Sequence, residues 1–159
     1  MLEDSTTRQE AGDGSPPARP PNTTALLGLA YQALGKRIVD GVREAGFPQR
    51  PAHSAVMAHI DLDGGTRLST LAARANITPQ AVGELVDDLE RLGYVARAQD
   101  PDDRRAKRVV LTDRGFASVS AAVETIGRLE EELARVLGAE RLATLHESLT
   151  AISNTFGET

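Results

Sequence analysis

The tightest constraint in this sequence is a three-residue joint. Residues 69–75 read as a short helix and residues 79–92 as a longer one, with only Asn76-Ile77-Thr78 between them. Asn enters the left-handed conformation that ends a helix more readily than other residues with a Cβ. Thr78 is placed to cap the next helix, and Pro79 suits its first position, where a missing N–H costs nothing. Ser69 reads as the N-cap of the first helix of the pair. In the second, Val82, Leu85, Val86, Leu89 and Leu92 fall on one side at helical spacing, and Gly93 ends the run. Two helices joined this closely make the layout of a helix-turn-helix.

The flanks follow from the same punctuation. Upstream, Leu27, Leu34, Ile38 and Val42 give a helix one apolar face, stopped by Gly46 and Pro48. A second helix is expected from Pro51 to Ile60, and Thr66-Arg67-Leu68 is a candidate short strand. Downstream, residues 94–99 and 108–111 alternate as two strands around the turn cluster Asp100-Pro101-Asp102-Asp103, which makes a β-hairpin. Thr112 caps a long helix expected over 113–137, roughly 37 Å if unbroken. Gly138 separates it from a last amphipathic helix carrying Leu142, Leu145, Leu149, Ile152 and Phe156. No strand or loop-rich body lies nearby to cover the apolar stripe of these C-terminal helices, so pairing with a second copy is expected, with packing on helices of the same chain as the alternative. Residues 1–22, rich in Pro and Gly, have too little apolar surface to offset the entropy of ordering and read as a disordered tail.

Composition narrows the chemistry. With no cysteine, a disulfide scaffold, a thiolate metal site and a thiol sensor are excluded. Three Phe, two Tyr and no Trp leave no aromatic platform for single-stranded nucleic acid. His53 and His59 are six apart, the wrong spacing for a helical metal pair, so no metal or other cofactor is expected. No nucleophile–base set or glycine-rich phosphate loop marks an enzyme. No apolar run reaches a membrane span and the N-terminus is polar, so a cytoplasmic protein without a membrane partner is expected. The net charge of −5 is unevenly spread. Arg104, Arg105, Lys107 and Arg108 put four cations in five positions of the hairpin, while the C-terminal quarter is acidic.

Between Leu68 and Gly115 the chain reads LSTLAARANITPQAVGELVDDLERLGYVARAQDPDDRRAKRVVLTDRG. Helix pair, hairpin and a wing signature occur there in order, the signature being Asp103, Arg105, Lys107, Leu111 and Thr112. This stretch resembles the MarR family of transcriptional regulators, and the wider likeness runs from about Thr23 to Phe156. The resemblance implies a mainly α fold (an α+β winged helix). Residues 51–111 would form a DNA-binding lobe, and residues 23–46 and 113–157 the dimerisation helices. It also implies a homodimer on palindromic double-stranded DNA, repression, and release by a small aromatic or anionic effector.

With that resemblance, helix 78–92 is expected in the major groove and wing 97–111 in the minor groove. Thr78, Gln80 and Ala81 stand where a recognition helix first meets base edges; an amide suits adenine and a methyl group thymine. Arg104 and Arg105 are at the hairpin tip, where arginine suits a narrow minor groove. Asp103 is expected to hold the Arg105 guanidinium in a bidentate pair. Lys107 and Arg108 alternate across the strand, and the signature favours Lys107 as the one facing DNA. Arg97 and Arg74 are phosphate candidates, with surface salt bridges as the equal alternative. An effector pocket is expected where the first, second and fifth helices meet, from Tyr31, His53, Met57, His59 and Phe116. The helix departs from the family in carrying Gly83-Glu84, Asp87 and Asp88 where basic groups are common. That acidity, with a pI near 5.2, leaves an alternative: a winged-helix interaction module that binds no DNA.

Overall fold

The computed structural model describes residues 21–103 and 105–157. Most of the expected tail therefore lies outside the described residues, and the chain is first seen as it enters a helix. Asn22 caps that helix, its side chain accepting the Ala25 N–H at 2.9 Å.

Among the described residues six helices and three strands follow in order: α1 (Thr23–Glu44), α2 (Pro51–Met57), β1 (Thr66–Arg67), α3 (Leu68–Ala75), α4 (Pro79–Arg91), β2 (Val95–Gln99), β3 (Lys107–Leu111), α5 (Asp113–Leu137) and α6 (Ala139–Phe156). The strands form one antiparallel sheet in the order β1-β3-β2. Val95 pairs with Leu111 and Gln99 with Lys107, so the hairpin closes through residues 100–106. This mainly helical chain with a small sheet is the expected winged helix.

The turn chemistry holds where the sequence was explicit. Asn76 takes the left-handed conformation at φ 52° and ends α3. Thr78 Oγ1 accepts the Ala81 N–H at 3.2 Å and starts α4 behind Pro79. Thr112 does the same for Gly115 at 3.1 Å. Three boundaries differ. Helix α3 begins at Leu68 with Arg67 as its uncapped first neighbour, so Ser69 is inside the helix and not its N-cap. Pairing of Thr66 and Arg67 with β3 carries extended backbone right up to the helix. Helix α2 stops at Met57, and a turn leads to Ile60. Strand β3 starts one residue early, because Lys107 still pairs with Gln99.

One core unites the lobe. Val56, Met57 and Ile60 of the α2 region, Leu71 and Ala72 of α3, Val82, Val86 and Leu89 of α4, and Val95, Val109 and Leu111 of the sheet are buried together. Each such Val or Leu contributes about 2 kcal/mol. Tyr94 joins them, fully buried just before β2, with its hydroxyl donating to the Pro48 carbonyl at 3.1 Å. Arg114 lies over its ring at 5.0 Å. Gly115 lets α5 meet this corner, since a Cβ there would run into the Tyr94 carbonyl oxygen.

Outside the lobe, α1 packs on α5 across small residues. Gly41 faces Thr125, whose side-chain atoms would lie 2.6–2.7 Å from any Cβ added at Gly41. The buried face of α5 is Gly115, Ser118, Ala121, Thr125 and Leu129. The apolar stripe that the sequence shows on this helix, including Phe116, Val123 and Ile126, is exposed in the single chain. So are Leu26, Leu29 and Tyr31 of α1 and Leu145, Ile152 and Phe156 of α6. Among the described residues no helix is long and apolar enough to cross a membrane.

Candidate nucleic-acid interface

The first turn of α4 is presented outward because its apolar residues point the other way. Val82, Val86 and Leu89 face the core, which leaves Thr78, Pro79 and Gln80 exposed and Ala81 half-buried. Gln80 Nε2 rests on Glu84 Oε1 at 3.3 Å and must leave that contact to reach another acceptor. The first-turn N–H groups of a helix also favour an anion.

The hairpin tip is built around carboxylates. Asp103 Oδ1 accepts the Arg105 backbone N–H at 2.9 Å, and Ala106 N–H donates to the Asp103 carbonyl at 2.9 Å. Asp103 therefore shapes the tip through the backbone and not by gripping the Arg105 guanidinium as expected. A side chain two residues before its partner closes an Asx-type turn more readily than it reaches a guanidinium. Arg105 is exposed, and so is Lys107. Arg104 lies outside the described residues.

Arg108 turns the other way. Its Nε and one terminal nitrogen donate to Asp100 at 2.9 and 3.3 Å, and it also reaches Asp102 at 3.0 Å. Arg67 of β1 donates to the same Asp100 carboxylate at 2.6 Å. Asp100 is 1% exposed, and these two guanidinium groups hold its carboxyl far below the usual carboxylate range. Of the two neighbours, Lys107 is exposed and Arg108 is held by carboxylates. Sequence reasoning placed Asp100 in a turn and missed its second role, because its partners come from two other segments.

The other cations of the lobe are also held. Arg97 binds Asp87 at 2.5 Å and pairs with Glu90. Arg74 donates to Asp61 and to the His59 carbonyl, at 2.8 and 2.9 Å. Arg91 and Arg50 both pair with Asp88. These contacts neutralise three acidic groups of α4. The guanidinium beside each of Asp88 and Asp61 lowers its carboxyl from the usual range.

The five residues expected to line an effector pocket do not converge. Tyr31 is 76% exposed on α1, Phe116 is exposed on α5, and Met57 is in the lobe core. His59 is half-buried at the turn after α2, with its carbonyl engaged by Arg74. His53 borders a cavity in the company of arginines that the sequence did not single out. The helical period places a residue on a face; it does not say which faces meet. Among the described residues no group of three His, Cys, Asp or Glu is arranged to hold a metal ion.

Comparison with known proteins gives a consistent frame. Residues 49–106 match the model of the MarR family. A transcriptional repressor of Bacillus subtilis, MdtR, is 34% identical over 89 residues, which is 55% of this chain and 57% of MdtR. The chain thus matches a little over half the length of that curated relative. Among solved structures, the repressor CouR bound to a 23-mer DNA duplex is 26% identical with a TM-score of 0.69, covering 83% of this chain and 92% of the other. MarR of E. coli in its apo form shares the fold at 22% identity and a TM-score of 0.69, covering 84% and 98%.

Proposed function

We propose, from the premise that residues 49–106 carry the winged helix of the MarR family, that this chain is a homodimeric repressor that binds palindromic DNA. One observation carries the reading. Among the described residues of the lobe, Arg67, Arg74, Arg91, Arg97 and Arg108 are each bound to a carboxylate, while Arg105 and Lys107 at the wing are not. A cation kept free of internal partners on an exposed tip is available to phosphate or to a minor groove. The outward first turn of α4 supplies the second contact, with Thr78, Gln80 and Ala81 toward base edges.

The acidity of α4 does not oppose this reading. Asp87, Asp88 and Glu90 are tied back by Arg97, Arg50 and Arg91, so their charges are largely cancelled at short range. The exposed apolar residues of α1, α5 and α6 support a second copy as the partner that covers them. Two-fold symmetry would then space the reading helices about 34 Å apart. The likeness to CouR, solved on a duplex, and to MdtR, a repressor, supports the same assignment. Release of the duplex by a small anionic effector completes the proposal.

The test is a mobility-shift titration on DNA from upstream of the chain's own gene, repeated over a range of salt. Replacing Arg105 with Ala is expected to weaken binding about tenfold and to reduce the salt slope by about one. An unchanged dissociation constant and slope would remove Arg105 from the interface. Failure of the unaltered chain to shift any fragment would remove the function.

A further inference from the structure

Four carboxylates stand on α4: Glu84, Asp87, Asp88 and Glu90. Three of them have cationic partners. Arg97 pairs with Asp87 and with Glu90, and Arg50 and Arg91 both pair with Asp88. Glu84 has none among the described residues. Its partner is neutral: Gln80 Nε2 donates to Glu84 Oε1 at 3.3 Å.

The helix sets this uncancelled charge on its outermost line. Val82, Val86 and Leu89 are fully buried. At about 100° per residue, Glu84 lies nearly opposite them and one turn beyond Gln80. Both side chains are exposed. Asp87, on the same side, has its charge offset by Arg97 at 2.5 Å. Glu84 is therefore the acidic group that a partner laid along this face meets at full strength.

A carboxylate offers acceptors only. Phosphates repel it, and in the major groove it finds few donors. Guanine shows two acceptors there, and thymine an acceptor and a methyl group, so neither satisfies it. Adenine shows an amino group beside the acceptor N7, whereas cytosine shows an amino group alone. On a reading face such a side chain is unfavourable against most of a duplex and favourable against cytosine.

We propose that Glu84 selects a cytosine at one position of each half-site by accepting from its N4 amino group. Rejection contributes as much as attraction, because the other three bases leave the carboxylate opposed or without a full set of donors. The Gln80 amide steadies the carboxylate in the free chain. This assignment rests on the proposed function, whose interface it deepens by naming what one further residue reads.

The experiment is selection of bound duplexes from a randomised library by the unaltered chain, Glu84→Gln and Glu84→Ala. Titrations of the selected duplex and its single-pair variants follow at fixed salt. The unaltered chain is expected to select cytosine at one position per half-site, each other base there weakening binding about tenfold. Glu84→Gln is expected to move the preference to adenine, which an amide meets with both a donor and an acceptor. Glu84→Ala is expected to reduce discrimination at that position to about twofold or less, with the other positions unchanged. Both variants should bind unrelated duplex more tightly, since a repulsive charge is gone. A merely structural role for Glu84 would instead weaken binding to all duplexes alike. Thermal melts of both variants should match the original, because the position is exposed. Selection profiles of the variants that match the unaltered chain, or a Glu84-dependent position that prefers any base but cytosine, would overturn the assignment and leave the proposed function standing. An unaltered chain that selects no duplex would remove both.

Discussion

At Asp100 a single carboxylate accepts from Arg67, from Arg108 and from the Asp102 backbone N–H, and so ties β1, β3 and the hairpin loop together. Its folded pKa is depressed, as is that of His53. The sign is the same for both. Each stabilises the fold fully above its unfolded value, about 3.9 for Asp and 6.5 for His, and that stability is lost as pH falls through the folded value. The urea midpoint is therefore expected to drop between about pH 7 and pH 5, and again below about pH 4. His53→Gln should flatten the first fall and Asp100→Asn should make the second shallower. A midpoint constant from neutral pH to pH 5 would contradict the assignment to His53. Gly115 gives a purely steric case. Gly115→Ala forces a methyl group into the Tyr94 carbonyl, with an expected cost of about 2 kcal/mol or more in urea denaturation.

Among the elements, α4, like α1 and α5, has its start set by a side chain. Thr78 Oγ1 satisfies the Ala81 N–H and fixes where the first turn begins. Thr78→Ala is expected to cost about 1 kcal/mol in chemical denaturation. Under the proposed function it should also weaken operator binding, while Thr78→Ser should leave both near the original values. Loss of binding in the Ser variant as well would point to the threonine methyl and not to the cap. The hairpin behaves differently. Its strand register is a property of the β2–β3 pair, but its tip conformation depends on Asp103 and its anchorage on Asp100.

For the whole molecule, the decisive feature is the apolar surface left by folding. Ile152 and Phe156 on α6 are exposed, Phe156 by 78%, as are Val123 and Ile126 on α5. Sedimentation equilibrium is expected to give a dimer. Because Ile152 and Phe156 contribute little to the single-chain core, the pair Ile152→Glu and Phe156→Glu should leave the melting temperature of the lobe unchanged. The same pair should weaken self-association by about a hundredfold. A monomer in the unaltered chain, or a dimer untouched by both charges, would require another role for this face.

The sequence by itself determined what depends on neighbours along the chain. The left-handed Asn76, the caps at Thr78 and Thr112, the hairpin and the helical stripes all follow from residues a few positions apart, where backbone sterics and local hydrogen bonds act. Strand alternation puts Lys107 and Arg108 on opposite faces of β3, as the spacing predicts. Only the tertiary structure decided which charges cancel: Asp100 with Arg67, Asp88 with Arg50, and Arg37 with Glu132 between α1 and α5 are pairings across 33, 38 and 95 positions. It also decided that α5 meets α1 where Thr125 faces Gly41, and that Phe116, Val123 and Ile126 of the same helix are left outside. Local periodicity says which residues share a face, but closeness between faces is set by packing of the whole chain.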